Sequence, residues 1–496
     1  MLPLFVAIPL AAAFIISLTG KYYRRAGDVI ANLASLVLLV LSFSALSILN
    51  SGPSNVLVYK IGSWIPPIGI CMVLDGLTCF MLITINLVSL LVTIYSISYM
   101  EKYTAKYRFY TLFMLMLAGM NGVIITGDMF NLFVFLEIAS IASYALVAFG
   151  TEAEELEASF KYAIMGSVAS SCILLGIALL YSYTSSLNMA DISRVLAGKG
   201  HSNIITFISV LFLMGFGLKA AVVPFHAWLP DAHPSAPAPI SAMLSGVFIK
   251  TLGVYALVRI FFNVLGASPD LLILLIILGI ISMIVGGFLA IGQKDIKRML
   301  AYSSISQIGY IIFAVGIGTP LAILGGLFHL LNHAIFKSLL FLNSGAVEYS
   351  TRTRDLEQMG GLNRCLPVTG YTSLVGSMSI SGIPPLSGFW SKLIIIIAAI
   401  QAKYLGFAII AVLVSILTLA YYLKLQRYAF FGELNKKWER IKEVPFSMRL
   451  SMIILSILCI IAGLVLIPKW DGFIKQAADV LLIGREYASI VFGAVK

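Results

Sequence analysis

Charged side chains are scarce in this 496-residue chain, at 11%, where soluble domains carry about 25%. With 60% hydrophobic residues and a mean hydropathy of +1.00, a soluble globular domain is excluded. The length cannot be divided into soluble domains either, because bundled membrane helices share one core. Cysteine is also sparse. Cys71, Cys79, Cys172, Cys365 and Cys459 are scattered, mostly in apolar runs, and no Cys-x-x-Cys pair occurs. That argues against zinc or iron–sulfur ligation, and the five read as small buried hydrophobes. A paired axial His/Met pattern and a dinucleotide glycine motif are likewise missing, so no cofactor and no metal are expected. The first apolar run, Leu2 to Leu18, has neither a basic stretch before it nor a cleavage signal. It reads as a retained helix and not a signal peptide.

Long hydrophobic runs are what the chain does have. A helix needs about 20 apolar residues to cross a bilayer. On that ruler the sequence predicts an all-α polytopic membrane protein with fourteen spans. They cover residues 3–19, 29–49, 74–98, 109–126, 130–149, 159–181, 203–225, 237–262, 271–292, 298–317, 321–345, 366–400, 406–430 and 448–468. The twelfth is interrupted by Ser381-Gly-Ile-Pro-Pro-Leu-Ser-Gly388 and the seventh runs into Pro224, so both should be broken.

Lysine and arginine divide the connections into two sets. Lys21/Arg24/Arg25, Lys102/Lys106/Arg108, Lys294/Lys297/Arg298, Arg352/Arg354/Arg364 and the Lys436–Lys442 cluster fall on one side. The connections near 50–73, 182–202, 263–270, 318–320 and 401–405 carry few basic groups. The positive-inside rule then puts both termini outside. It also accounts for the net charge of +11 without a nucleic-acid partner. Glu152, Glu154, Glu155 and Glu157 make one inside loop acidic, read as a solvated face. After Pro468 the tail mixes Trp470, Lys475, Arg485 and Glu486 with apolar residues. It is too polar to span and reads as an amphipathic segment on the outer surface or on a partner.

Against this background four ionisable residues sit inside apolar stretches: Glu137, Lys219, Lys250 and Lys392. A charge at mid-membrane costs a few kcal/mol or more and marks ion or proton pathways. Burial disfavours a charged lysine, and a thousandfold loss of proton affinity corresponds to about 4 kcal/mol. A carboxylate about 4 Å away returns about 4 kcal/mol at an effective dielectric near 20. The two effects nearly cancel, so a small change in separation decides whether Lys219 beside Glu137 keeps its proton. A static ion pair joining two helices is the competing reading.

His329, His333 and Lys337 follow at intervals of four, which puts them on one helical face as a stripe about 12 Å long. Histidine titrates near neutrality and suits proton relay; a metal site lacks a third ligand nearby in sequence. His226 and His233 flank Trp228-Leu-Pro-Asp231 in a proline-rich connection. They either admit protons or pack a tight turn. Asp128 reads as a helix start. Lys392 follows the break in span twelve, where freed backbone groups need water or partners. Lys219 and Lys392 stand 173 positions apart, each beside a broken span, and Lys250 projects by the same offset to the neighbourhood of Lys424. Matching breaks in two halves point to inverted repeats.

These residues carry a family resemblance. FNLFVFLEIASIASYALV around Glu137, GLKAAVVPFHAWLPDAHPSAPAPISAMLSGVFIK, HLLNHAIFKSLLFLNSGA and SGIPPLSGFWSKL resemble the antiporter-like subunits of complex I. The same family holds the D-type component of Mrp sodium/proton antiporters and its counterpart in membrane-bound hydrogenases. The match covers roughly residues 70–430. Lysine at position 392, where complex I M-type subunits usually carry glutamate, and the lack of a long C-terminal extension favour the Mrp D-type.

The resemblance implies two inverted five-helix repeats with helices 7 and 12 broken. Residues 1–108 would form helices 1–3, 109–262 the first repeat, 271–430 the second, and 431–496 helix 14 with its tail. It implies Glu137 as partner of a pumping Lys219, Lys250 as a bridging relay, His329, His333 and Lys337 as a central wire, and Lys392 as the exit. It further implies other membrane subunits as partners, protons and possible sodium as the ions, lipid surroundings, and the plasma membrane of a prokaryote. Any redox centre would belong to another subunit of a respiratory complex. The rival reading is a stand-alone transporter of a small solute or cation.

Overall fold

Aspartates and hydroxyl residues set where many of the helices begin. The computed structural model describes residues 1–51, 55–199, 202–466 and 472–495. Helix α1 runs Leu4–Thr19 and α2 Ala26–Ser51. A short antiparallel hairpin follows, β1 Leu57–Lys60 and β2 Cys71–Leu74, with Leu57 opposite Leu74. Asp75 then caps α3, Gly76–Tyr99, accepting from the Thr78 backbone N–H at 2.9 Å. α4 is Lys106–Ile125. Asp128 caps α5, Met129–Val147, through the Asn131 N–H at 2.8 Å, as its sequence position predicted. Each such cap satisfies one of the four N–H groups that a helix start leaves without partners.

The Glu152/Glu155 capping box opens α6, Ala153–Thr184. This uses two of the acidic-loop glutamates, which also complement the helix dipole. Next come the short amphipathic α7, Met189–Lys199, and α8, Asn203–Lys219. α8 stops six residues short of the predicted limit at 225. The chain turns through Ala221 at φ +56° ahead of Pro224 and re-enters helix as α9, Leu229–Ser235. The predicted break in span seven is therefore present.

α10, Ala238–Leu265, is buried along its whole apolar window. It is not a regular α-helix, since Leu244–Phe248, Lys250–Tyr255 and Arg259–Leu265 are π-helical. α11, Pro269–Ile291, packs extensively on α12, Ile296–Ile317, and α13 runs Pro320–Thr351. Span twelve is two helices, α14 Pro367–Ser381 and α15 Ser387–Gln401. Gly382 between them sits at φ +80°, a conformation that a side chain strains. α16 covers Leu405–Phe431 and α17 Phe446–Ile461.

Among the described residues eleven helices are long and apolar enough to cross a membrane, with α1, α8 and α15 as shorter apolar helices. α3, α10, α12 and α13 form the buried centre, whereas α2, α6, α16 and α17 expose most of their apolar surface. This is the layout of an integral membrane protein whose outer helices face lipid.

The tail departs from expectation. Pro468 and Trp470 lie outside the described residues. Beyond them α18, Gly472–Leu482, packs on α3 and α13, and α19, Tyr487–Val495, packs on α7 and the hairpin. The amphipathic segment thus covers its own bundle. Its apolar face has a partner within the chain, so no other subunit is needed to bury it.

Candidate functional site

Lys219 is the last residue of α8, where the negative end of a helix dipole favours a cation. Its side chain is 2% exposed, and Nζ lies 3.9 Å from Glu137 Oε1. Nζ also donates to Ser140 Oγ at 2.9 Å and to the Tyr144 hydroxyl at 3.4 Å. Glu137, Ser140 and Tyr144 occupy one face of α5, at the three- and four-residue steps that align helical side chains. On its other side Glu137 accepts a hydrogen bond from Ser170 Oγ of α6. Its side chain remains 28% exposed on the flank of the bundle, beside the exposed Phe130, Val134 and Ile141.

α10 passes close beneath this break. A Cβ on Gly253 would collide with the backbone of Ala220, so glycine here lets the Lys250 helix touch the residue after Lys219. Lys250 is fully buried, and its Nζ donates to the Ser245 carbonyl. π-helical turns frequently mark functional positions in otherwise regular helices. Ser245 Oγ continues to Ser304 Oγ of α12 at 2.7 Å.

α13 carries the stripe. Lys337 donates to the Leu300 carbonyl at 2.7 Å and to the Tyr422 hydroxyl at 3.2 Å, and Tyr422 meets Ser303 Oγ at 3.0 Å. The rings of His329 and His333 are near parallel, with centroids 6.3 Å apart. His329 bonds Gln307 Oε1 at 3.2 Å through Nε2 and Ser391 Oγ at 3.0 Å through Nδ1. Neither ring nitrogen of His333 has a protein partner among the described residues. Lys250, Lys337, His329 and Lys392 all lie within electrostatic range of it. Next to Ser391, Lys392 is 3% exposed. It donates to Ser415 Oγ at 3.2 Å and sits over the Tyr310 ring at 5.0 Å; Ser415 Oγ in turn reaches the Ser381 carbonyl, beside the break, at 3.0 Å.

The structure separates the two connector histidines. His226 lies half-buried in the turn after Ala221; burial moves its ring below the ordinary histidine range, opposed by a backbone hydrogen bond at Pro224. His233 is fully buried and stacked on Phe341 at 4.9 Å. Its ring nitrogens have no protein partner among the described residues. The connector itself is clamped from outside. Asp231 pairs with Lys161 at 3.3 Å and with Arg298 at 3.2 Å, and Arg354 binds the Pro234 carbonyl. Lys297 bridges the Ala236 carbonyl at 3.1 Å and Glu348 at 2.9 Å, at the floor of a recess of about 480 Å³.

Several polar members of this array were not singled out from sequence: Ser140, Tyr144, Ser170, Ser245, Ser303, Ser304, Gln307, Ser391, Ser415 and Tyr422. The available signal was spacing. Ser140 and Tyr144 fall three and seven residues after Glu137, and Ser391 directly precedes Lys392. A second buried ion pair was also missed, Arg259 with Asp75 at 2.8 Å, flanked by Thr78 and Asn263. Among the described residues no group of three His, Cys, Asp or Glu side chains is arranged to hold a metal ion.

Fold and array together define a polytopic membrane protein with a series of buried ionisable groups through its centre, several of them bonded to hydroxyl and amide side chains. The chain belongs to the NADH:quinone oxidoreductase/Mrp antiporter membrane family, whose model matches residues 126–418. Residues 64–110 match a second model, the N-terminus of complex I chain 5. The D-type Na(+)/H(+) antiporter subunit of Alkalihalophilus pseudofirmus is 35% identical over 90% of each chain. The N-type NADH-quinone oxidoreductase subunit of Desulforudis audaxviator is 34% identical over 93% of this chain and 94% of its own. A chain in the solved Mrp complex from Dietzia sp. DQ12-45-1b superposes with a TM-score of 0.90 at 28% identity, covering 100% of this chain and 98% of that one.

Proposed function

We propose that this chain is a proton-translocating subunit of a multisubunit membrane complex, either an Mrp-type cation/proton antiporter or a related complex I-like or hydrogenase-like respiratory assembly. The observation that carries this reading is Lys219 held at 3.9 Å from Glu137 at the end of a broken helix. Lys250, Lys337, His333, His329 and Lys392 continue the series across the centre. Glu137 tunes Lys219, Lys250 bridges the two halves, the histidines and Lys337 form the central relay, and Lys392 is the exit. His226 and His233 admit protons from the side of the clamped connector. His333, with ring nitrogens not engaged by protein, is suited to exchange a proton with water or a neighbouring lysine.

The matching breaks after Lys219 and before Lys392 support a division into two inverted repeats, residues 109–262 and 271–430, with 1–108 and 431–496 flanking them. Lysine and arginine asymmetry supports both termini outside, in the plasma membrane of a prokaryote. Other membrane subunits are the partners. The carboxylate of Glu137, partly exposed on an apolar flank, favours a covered position within a complex over a stand-alone carrier. Protons are the ions handled along the centre. Sodium needs several oxygen ligands, and a row of lysines repels it.

The deciding experiment measures proton and sodium fluxes separately in vesicles holding the intact complex, with Lys250→Ala and His333→Ala made singly. Proton movement should fall first. Loss of sodium binding with proton movement through this subunit intact would overturn the reading. Purification as a single chain with full transport would instead favour the stand-alone carrier.

A further inference from the structure

A recess of about 1010 Å³ lies away from the ionisable array, between α2 and α3. Its wall is apolar, formed by Val29, Leu33, Leu36, Leu90, Ile94 and Ile97. Val29, Leu33 and Leu36 are 62%, 59% and 47% exposed, so this wall is open along the outside of the bundle. One end is cationic. Arg24 and Arg25 lie in the turn just before α2 begins at Ala26, and neither guanidinium group has a protein partner among the described residues. Lys21 and Lys102 line the adjoining recess.

The acids nearby do not cancel this charge. Asp28 is already engaged by Lys106 at 2.8 Å and the Tyr110 hydroxyl at 2.8 Å, and Glu101 is the other acid lining the recess. Two free guanidinium groups therefore stand one turn beyond an apolar wall, at the level where a membrane helix meets the headgroups. Guanidinium recognises phosphate with a planar fork of donors, and a basic pocket beside membrane helices attracts anionic lipid.

We propose that the groove between α2 and α3 is a binding site for an anionic phospholipid, its phosphate held by Arg24 and Arg25 and an acyl chain lying along Leu33, Leu36 and Ile94. Charge complementarity selects this occupant over a zwitterionic lipid. The apolar wall selects it over a free phosphate. The site is separate from the proton path: among the described residues the polar contacts of Asp28 and Lys106 stay within the recess and Tyr110, and none goes to the ionisable array.

The test places a photoreactive benzoylphenylalanine at position 33 in the intact complex, reconstituted with equal phosphatidylglycerol and phosphatidylcholine. Position 36 serves as the second site should the first variant fail to assemble. After illumination, mass spectrometry of the adduct identifies the occupant directly. Phosphatidylglycerol should outnumber phosphatidylcholine by about thirtyfold, the scale expected for two arginines each contributing about 1 kcal/mol near a charged headgroup. The double variant R24Q/R25Q should bring the ratio close to one. Equal labelling by both lipids with the arginines present would reduce the groove to ordinary lipid exposure and overturn the proposal. An adduct to a neighbouring protein subunit would overturn it as well.

Discussion

Lys219 Nζ lies 3.9 Å from Glu137 Oε1 but only 2.9 Å from Ser140 Oγ. The lysine's nearest side-chain partner is therefore a neutral hydroxyl, and the carboxylate stands at the outer limit of an ion pair. A pair held this loosely can lengthen or tighten with small movements of α5 against the break. At about 4 Å and an effective dielectric near 20 the attraction is worth about 4 kcal/mol, comparable with the cost of burying the ammonium.

Replacing Lys219 by alanine should abolish proton translocation while leaving assembly largely intact. Proton uptake into vesicles carrying the complex, normalised to assembled protein, is the measurement. A normal rate would make Lys219 a structural residue only.

Glu137→Ala should be severe, and Glu137→Asp should keep partial function because the charge survives at a changed distance. Full activity in both variants would remove the carboxylate from the mechanism. Ser140→Ala, which deletes the closest partner of the ammonium, should slow turnover about tenfold, in line with hydrogen bonds to charged groups worth about 1.5–3 kcal/mol. Ser140→Thr keeps the hydroxyl and should recover most of that loss.

The buried pair of Arg259 and Asp75 gives a prediction on stability, not on transport. Asp75 is 0% and Arg259 3% exposed. Breaking such a pair from one side costs about 3–5 kcal/mol, because a charge stays buried alone. Arg259→Met or Asp75→Leu should each lower the melting temperature of the purified complex strongly. The double replacement should lower it less than either single one. Equal damage from all three would mean that the pair does not act as a unit.

Cysteine labels at positions 21, 294 and 437 should react from the cytoplasmic side, and one at position 403 from outside. All four lysines are exposed in the fold. Labelling of position 403 from the cytoplasm would reverse the orientation proposed from the basic loops.

The spans and the ionisable array were legible because both rest on coarse quantities, hydropathy over a window and the cost of a charge in hydrocarbon. Each predicted span overlaps a helix, and both predicted breaks fall where proline and glycine interrupt an apolar run. The hydrogen-bond partners were not legible, for a specific reason. Serine and threonine in membrane helices commonly bond the carbonyl four residues back, as Ser96 does to Val92 and Thr84 to Phe80. Beyond the spacing of Ser140 from Glu137 and of Ser391 from Lys392, nothing in sequence separates these from Ser140, Ser391 or Ser415, whose importance depends on which helix packs opposite. Arg259 and Asp75 were missed because 184 positions separate them and only the tertiary fold joins them. The hairpin at Leu57–Leu74 was read as a plain connection, since its strands are four residues each and too short to show alternation.

The π-helical turns of α10 give this helix a second possible phase. Each wide turn holds one residue more than an α-helix would need. If the turn at Leu244–Phe248 tightened to ordinary α geometry, everything beyond it would rotate by about 100°. Lys250 would then face a different neighbour, and the rest of α10 would turn with it. A single-residue deletion within Leu244–Phe248 removes the extra residue and locks the turn in α geometry with Lys250 in its present place. It should leave a folded complex in which a label at position 250 reports one set of surroundings where the full-length chain reports two, and two sets in the deletion variant would rule the second phase out. The central lysine is thus mounted on a helix whose pitch, and not only its position, can be set by what packs around it.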